Sequence, residues 1–133
     1  MNRVIKFRGK SIIDNTYGDW LHSSGIKYGD DVELMYCDEE TSEEWNYIDK
    51  ETLGQYTGLH DKNGKEIWEN DIVEITREGI YEKGIIIFKN GCFFIKSKEN
   101  LLALYNCELN NYKVKVIGNI TDNPELLGGK DEC

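Results

Sequence analysis

Residues 51–76 hold most of the side chains in this sequence that could do acid–base or nucleophilic chemistry. They offer a hydroxyl, an imidazole and several carboxylates, namely Thr57, His60, Asp61, Glu66, Glu69 and Asp71. Catalysis by such groups needs a nucleophile beside a base, together with a third group that orients the base. The spacing of these residues does not assemble that arrangement. We therefore expect no catalytic residue in this segment.

Turn formation explains the same residues. Asp61 precedes Asn63 and Gly64, so its carboxylate can accept hydrogen bonds from the backbone of the turn. Asn63-Gly64 and Asn90-Gly91 are both typical of tight β-hairpins, whose central residues adopt positive φ angles. Asp71 stands at the start of a predicted strand, where a carboxylate often accepts turn amides. Structural turn roles are assigned to Gly58, Asp61, Asn63, Gly64, Asn70, Asp71, Asn123 and Pro124.

Neither a metal nor a cofactor is expected. The two histidines, His22 and His60, lie far apart in sequence, and the acidic residues form no calcium-loop pattern. No glycine-rich phosphate-binding pattern occurs either. The cysteines contain no C-x-x-C pair, which excludes the usual zinc-finger spacing. We interpret them as free thiols in a reducing cytoplasm. They are Cys37, Cys92, Cys107 and Cys133.

The net charge of −9 is concentrated in one window of the chain. Residues 30–51 carry ten carboxylates against one lysine, while the rest of the sequence has equal numbers of acids and bases. Such a window repels phosphate and suits a basic partner, although a solvated loop has the same composition. The same window contains two aromatic residues that favour protein interfaces. The candidate partner-binding surface is Glu39, Glu40, Glu43, Glu44, Trp45 and Tyr47.

Three interpretations of this surface stay open. A protein partner is preferred, because net negative charge disfavours nucleic acid. The acidic window can also mimic nucleic-acid phosphate and so inhibit a basic host protein. In the structural alternative, Trp45 and Tyr47 pin the acidic excursion to the core.

Nucleic-acid binding is the alternative function, with an undiscovered hydrolase ranked below it. Residues 77–115 carry seven bases against four acids, a local excess of positive charge. Aromatic side chains on strands can stack on bases. The candidates for such stacking are Trp68, Tyr81, Phe93, Phe94 and Tyr105. Phe93 and Phe94 are adjacent, so they point to opposite faces of a strand and at least one belongs to the core.

Short strands joined by turns dominate the sequence. Apolar and polar residues alternate with period two at 5–8 and 112–116, which predicts half-buried strands. The continuous apolar run at 85–88 indicates a strand covered on both faces, and it could also be an edge that pairs between subunits. Pro124 fits the first position of a short helical turn, with Asn123 as its cap. Leu126 and Leu127 are expected to pack this turn onto the sheet. No apolar run approaches the roughly 20 residues of a membrane helix.

The chain resembles the YopX family of phage and prophage proteins, found chiefly in Gram-positive bacteria. The resemblance rests on IKFR at 5–8, the patch at 20–25, QYTGL at 55–59, DKNGKEI at 61–67, DIV at 71–73 and IGNITDNPELL at 117–127. Asn70 stands where relatives commonly have glycine, and asparagine tolerates the same left-handed backbone. Gly9 and Lys10 stand where relatives often carry a small residue and a tryptophan. The resemblance implies a mainly β fold with an SH3-like barrel in the second half.

These observations combine into one prediction of organisation and function. We expect a single domain over residues 1–133, with N-terminal strands and an acidic excursion at 1–50, a barrel-forming part at 51–128 and a frayed tail at 129–133. The protein is expected to be a non-enzymatic phage or prophage accessory protein that binds protein in the cytoplasm of its bacterial host. We expect no membrane association, and a homo-oligomer is compatible with the sequence.

Overall fold

The computed structural model describes residues 4–37 and 43–127. The chain divides into two compact units, Met1–Tyr56 and Thr57–Cys133. Strands and turns dominate both units, so the predicted mainly β class is confirmed. No helix in the described residues is long and apolar enough to cross a membrane.

The first unit contains five strands and the start of a sixth. Their bounds are β1 Phe7–Lys10, β2 Trp20–Ser23, β3 Ile26–Tyr28, β4 Val32–Cys37, β5 Glu43–Ile48 and β6 Gly54–His60. Two 3₁₀ helices, Asp14–Thr16 and Lys50–Thr52, lie between them. Strand β1 pairs antiparallel with β2 and with the first residues of β6. Strands β3, β4 and β5 form a separate antiparallel sheet with β4 in the centre.

The core of the first unit is small and apolar. Leu21, Val32, Leu34 and Ile48 are buried together, with Phe7, Ile26 and Leu53 packed against them. Gly9 lies directly against the Ile48 side chain, and a Cβ at residue 9 would collide with it. The close approach of β5 therefore requires a glycine at residue 9, near the end of strand β1.

The second unit contains the rest of β6, six further strands and a short helix. The strands are β7 Glu66–Trp68, β8 Asp71–Arg77, β9 Ile80–Lys89, β10 Cys92–Ser97, β11 Leu101–Ala103 and β12 Lys113–Asn119. Helix α1 is Leu104–Leu109, and a 3₁₀ helix spans Pro124–Leu127. Five strands form one antiparallel sheet in the order β11-β10-β9-β8-β12. Its core side is lined by Ile67, Val73, Ile75, Ile86, Ile95, Leu104, Cys107, Val114 and Val116.

This five-stranded sheet is open, so the predicted closure into a barrel is wrong. The two edge strands, β11 and β12, are not hydrogen-bonded neighbours within the described chain. Helix α1 connects them and contacts both, as well as β10. Its buried Leu104 and Cys107 fill the core where the two edges would otherwise meet. The period-two pattern of the strands gave no sign of this helix.

Strand β9, which contains the apolar run 85–88, lies in the interior of the sheet between β8 and β10. The hypothesis that this run is an edge for pairing between subunits is therefore wrong. Ile86 is fully buried and Ile85 and Ile87 are half-buried, but Phe88 is 50% exposed at the end of the strand. Strand β9 is therefore covered on both faces at residues 85–87, but Phe88 faces solvent.

The two Asn-Gly pairs form different turns. Asn90 and Gly91 both have positive φ, 53° and 82°, and they join Lys89 and Cys92 in a two-residue hairpin as predicted. At the other pair only Gly64 has positive φ, 84°. The Gly64 N–H donates to the Asp61 carbonyl. The Asp61 N–H donates to the Lys65 carbonyl and closes the turn. The predicted hairpin forms between β6 and β7, but its turn is wider than the tight turn expected at 63–64, because the Asp61 carboxylate organises it.

Candidate partner-binding face

The sequence-predicted binding surface falls partly on strand β5. Glu39 and Glu40 lie outside the described residues, while Glu43, Glu44, Trp45 and Tyr47 belong to β5. Its register with β4 sets Trp45 opposite Met35 and Tyr47 opposite Glu33. Successive side chains of a strand point to opposite faces of the sheet. Every second residue of β5 therefore shares a face.

Trp45 and Tyr47 share the face of this sheet that is turned away from the core. The core is formed on the other side by Val32, Leu34 and Ile48. The outward surface, which we call the Trp45 face, consists of Lys27, Glu33, Met35, Trp45 and Tyr47. The structural alternative expected both rings to pin the excursion to the core. The two rings do not pack into the unit's apolar core.

The Trp45 ring is held in place by its own sheet. Lys27 Nζ lies 4.3 Å from the ring centroid, a cation–π contact. Gly25 lets the neighbouring backbone approach closely, since a Cβ there would lie 3.1 Å from Met35 and 3.4 Å from Trp45. The Met35 N–H donates to the Gly25 carbonyl at 3.1 Å. The Trp45 ring is half-buried, and these contacts fix its orientation in the absence of a partner.

Tyr47 has a fixed backbone and an exposed side chain. Its carbonyl accepts a hydrogen bond of 3.1 Å from the Ile12 N–H, and an adjacent bridge joins Ser11 to Ile48. The side chain remains 44% exposed. Ordered backbone with a solvent-facing aromatic ring is the arrangement that a binding face needs, because little conformational entropy is lost on association.

Glu44 does not belong to the Trp45 face. The alternation along β5 directs it to the other side of the sheet, beside Asn46. There it lines a groove of about 550 Å³ with Asp19, Trp20 and Leu21. Arg8 and Lys10 stack near the Trp20 ring at 4.7 and 5.1 Å. The structure therefore separates a carboxylate from the aromatic rings that the sequence analysis grouped with it.

Asp61, the central residue of the DKNGK turn, serves as a structural pin. Its carboxylate accepts from the N–H groups of Asn63 and Lys65 at 2.9 and 2.8 Å, and from Val116 at 2.9 Å. Lys62 adds a hydrogen bond from its N–H to the Val114 carbonyl. Burial raises the pKa of Asp61, but the three backbone donors and the Lys65 charge outweigh burial and lower it overall.

These bonds cover the free edge of strand β12. The edge strand would otherwise expose unpaired N–H and carbonyl groups. The turn is predictable from the sequence but its partner is not, because Val116 lies 55 residues away from Asp61. The contact physically joins the two halves of the family motif, DKNGK and the strand that leads into IGNI.

The other predicted turn residues also have structural roles. Asp71 is buried and accepts from the Trp68 N–H at 2.8 Å. Asn70 has a φ of 75°, as expected for a residue that replaces glycine, and its carbonyl accepts from the Ile120 N–H. Asn123 Oδ1 accepts a hydrogen bond from the Asn119 N–H. A Cβ at residue 118 would lie only 2.6 Å from this oxygen, so Gly118 leaves room for it. The short turn at Pro124–Leu127 is thereby tied to strand β12.

Of the remaining polar residues of 51–76, His60 lines a cleft of about 330 Å³. Thr57 Oγ1 donates to the Ile67 carbonyl at 2.7 Å. His60 and Cys107 both line the cleft. Burial raises the pKa of the Cys107 thiol; the Arg77 charge opposes this change and Glu82 adds to it. Residues 4–37 and 43–127 contain no group of three metal-binding side chains.

Comparisons with known proteins agree with this fold. A search of curated proteins finds no match. A crystal structure of protein EF1440 from Enterococcus faecalis aligns with 95% of this chain and 99% of that chain, with a TM-score of 0.57 and 24% identity. This likeness concerns the fold alone. The family model described as YopX protein matches residues 6–128, nearly the whole sequence. The chain therefore belongs to the YopX family.

Proposed function

We propose that this chain is a non-enzymatic phage or prophage accessory protein that binds another protein through the Trp45 face. The observation that carries the proposal is the outward position of Trp45 and Tyr47, on the side of the β3-β4-β5 sheet opposite its core. Trp and Tyr dominate the binding energy of protein interfaces. Neither ring belongs to the unit's buried core.

The charge around this face defines the class of partner. Residues 30–51 carry ten carboxylates against one lysine, so the field around β4 and β5 favours a basic protein. Electrostatic complementarity of this kind accelerates encounter, while the aromatic rings supply affinity. The phosphate-mimic hypothesis is one form of this function, in which the basic surface of the host protein normally holds nucleic acid.

The absence of catalysis is part of the proposal, and the turn residues support it. Asp61 and Asp71, the two buried carboxylates of the family motif, both accept backbone hydrogen bonds that hold turns on the sheet. A general base needs a lone pair directed at a substrate proton. Their positions suit fold maintenance and not proton transfer.

The experiment is affinity capture from host lysate, followed by measurement of Kd with the identified protein. The test variant is Trp45→Ala with Tyr47→Ala, and the matched control is Tyr17→Ala with Tyr28→Ala, which removes two rings that are 71% and 67% exposed elsewhere in the same unit. We expect the test variant to weaken binding by at least about 30-fold, since interface hot spots contribute about 2 kcal/mol or more.

A further variant separates the effect of charge on binding from that of aromatic contact. Changing Glu39, Glu40, Glu43 and Glu44 to glutamine removes four carboxylates of the acidic window. We expect slower association and weaker salt dependence, with the complex still formed at low ionic strength. Capture that survives loss of both Trp45 and Tyr47 would reject the proposed face. Failure of the unaltered protein to capture any host protein would reject the function.

A further inference from the structure

The five-stranded sheet of the second unit carries, on the side opposite its core, exposed lysines around an apolar centre of Ile72, Ile85 and Ile87. Its core side is set by Val73, Ile75, Ile86 and Ile95. Alternation along each strand sends the intervening residues to the opposite side. Five exposed lysines lie there, namely Lys83 and Lys89 of β9, Lys96 of β10, and Lys113 and Lys115 of β12. We call this surface the lysine face.

The strand register brings these lysines into neighbouring rows. Glu74 of β8 lies between Lys115 of β12 and Lys83 of β9. In the next row, Thr76 lies between Lys113 and Tyr81. Glu74 is the single acidic residue that the register of β8, β9, β10 and β12 sets on this face, against five lysines. The local charge is therefore positive in a protein whose net charge is −9.

A groove of about 550 Å³ deepens one side of the lysine face. Lys83, Lys96 and Lys98 line it, over an apolar floor of Ile85 and Leu127. Lys83 Nζ donates to the Leu126 carbonyl at 3.2 Å, which ties the 3₁₀ helix Pro124–Leu127 to the sheet and forms one wall. Ammonium groups above an apolar floor fit a ligand that combines phosphates with flat rings.

An aromatic ring stands beside the lysines. Tyr81 is 72% exposed, two residues before Lys83 on the same strand and on the same face. Exposed aromatic side chains on a basic sheet surface let bases stack while lysines contact the phosphates. Of the other aromatic residues considered for stacking, Trp68 is buried and Phe93 packs against the core. Phe94 shares this face, because it lies two residues before Lys96 on β10, but it is half-buried, whereas Tyr81 is exposed.

We propose that the lysine face binds single-stranded nucleic acid, with phosphates on Lys83, Lys96 and Lys98 and a base stacked on Tyr81. The negative charge of residues 30–51 does not prevent this. Interactions between exposed charges are largely screened beyond about 10 Å at 0.1 M salt. Lysines that contact phosphates directly act at shorter range and release condensed counterions. This inference is independent of the protein-binding function proposed for the Trp45 face.

The test is fluorescence anisotropy of labelled 15-nucleotide dT and U strands with the full chain, at several salt concentrations. We expect micromolar binding at low salt, with a log–log salt slope of about −0.7 for each phosphate neutralised on a single strand. No binding at 25 mM salt would overturn the proposal. Duplex DNA of the same length should bind more weakly than either single strand; duplex binding of equal strength would overturn the single-strand assignment.

Matched charge variants locate the site. Lys83→Glu with Lys96→Glu should weaken oligonucleotide binding at least about tenfold, because two phosphate contacts become repulsive. Lys50→Glu with Lys62→Glu changes the net charge equally at two exposed positions that do not belong to the lysine face, and it should weaken binding much less. Equal losses in both variants would overturn the assignment. Circular dichroism and thermal unfolding establish that each variant is folded.

Tyr81 distinguishes nucleic acid from an acidic protein ligand. Tyr81→Phe should retain oligonucleotide binding, since the ring still stacks, whereas Tyr81→Ala should weaken it several-fold. A polyglutamate peptide is the competing probe. If polyglutamate binds as tightly as the oligonucleotide and Tyr81→Ala leaves oligonucleotide binding unchanged, the face is a site for acidic protein and the proposal is wrong.

Discussion

The Trp45 face and the lysine face are both solvent sides of antiparallel sheets, yet their chemistry is opposite. The first presents two aromatic rings beside the acidic window at 30–51. The second presents five lysines with one glutamate and an exposed tyrosine. A net charge of −9 describes neither surface. Binding partners must therefore be inferred from each face separately, and the average charge of the chain misleads for the second.

Both faces follow from the same geometric rule. In strand β5 the residues between Ile48 and Glu44 alternate between the two sides of the sheet, and in β12 Val114 and Val116 alternate with Lys113 and Lys115. The apolar set of each strand is buried, so the polar or aromatic set faces water. A side chain's role in stability or in binding thus depends on its parity along the strand.

The largest expected effect contrasts the two sides of one strand pair. Ile86→Ala and Ile95→Ala remove fully buried side chains below the lysine face, and each should lower the free energy of unfolding by about 2–5 kcal/mol. Lys96→Ala, next to Ile95 on the other side of β10, should change it by less than about 0.5 kcal/mol. Urea unfolding at pH 7 measures all three. A large loss from Lys96→Ala would show that the lysine face is structural.

The next prediction contrasts a buried carboxylate with an exposed one. Asp61→Asn should lower the free energy of unfolding by about 1–3 kcal/mol, because charge-assisted hydrogen bonds to three backbone N–H groups are weakened. Glu44→Gln, at an exposed position, is the control and should have little effect. Urea unfolding of both variants at pH 7 measures the difference. Equal effects would contradict the pinning role of Asp61.

The pH dependence of Asp61 follows from the direction of its pKa shift. Its folded-state pKa is lowered, so its stabilising contribution is present above the unfolded-state pKa and is lost as pH falls through the folded-state value. Between neutral and strongly acidic pH, the Asp61→Asn variant should therefore lose less stability than the unaltered protein. Unfolding free energies measured from pH 7 down to acid unfolding test this. Parallel pH curves would contradict it.

Thiol reactivity should distinguish the core side of the second unit from its surface. Cys107 is buried and its pKa is raised, which lowers its thiolate fraction at neutral pH. Cys92 is exposed at the start of β10. Alkylation with iodoacetamide at pH 7.5, followed by peptide mass spectrometry, should modify Cys92 at least about tenfold faster. Equal rates in the folded protein would show that the core around Cys107 opens readily.

The smallest expected effect concerns how the Trp45 ring is held. Lys27→Ala removes the cation over this ring and should lower the free energy of unfolding by about 0.5–1 kcal/mol. Lys27→Arg keeps a cation and should leave stability nearly unchanged. Urea unfolding followed by circular dichroism measures both. If the alanine variant lowered partner binding more than Trp45→Ala did, Lys27 itself would be the contact residue.

Local sequence patterns predicted a large part of the fold. The alternation at 112–116 became β12 with exposed lysines, and Asn90-Gly91 became a two-residue hairpin. Leu126 and Leu127 pack the last turn on the sheet side, as expected. Each of these features is decided by residues within a few positions of one another, so the physical cause is visible in the sequence.

Features that depend on distant residues were not predictable in the same way. The Asp61 bond to Val116 spans 55 residues, and the lysine face arises only when the register of β8, β9, β10 and β12 is known. The open sheet reflects helix α1, whose six residues carry too little periodicity to be recognised. On the binding surface, strand parity separated Glu44 from Trp45, which a list of neighbouring residues cannot reveal.

Affinity capture with three full-length baits tests the central claim most directly. The baits are the unaltered protein, Trp45→Ala with Tyr47→Ala, and Lys83→Glu with Lys96→Glu. The yield of the captured host protein, measured by quantitative mass spectrometry after nuclease treatment, should fall at least about 30-fold for the first variant, in line with hot-spot energies. The second variant should retain it. Full capture by the Trp45 and Tyr47 variant, with loss in the lysine variant, would contradict the account.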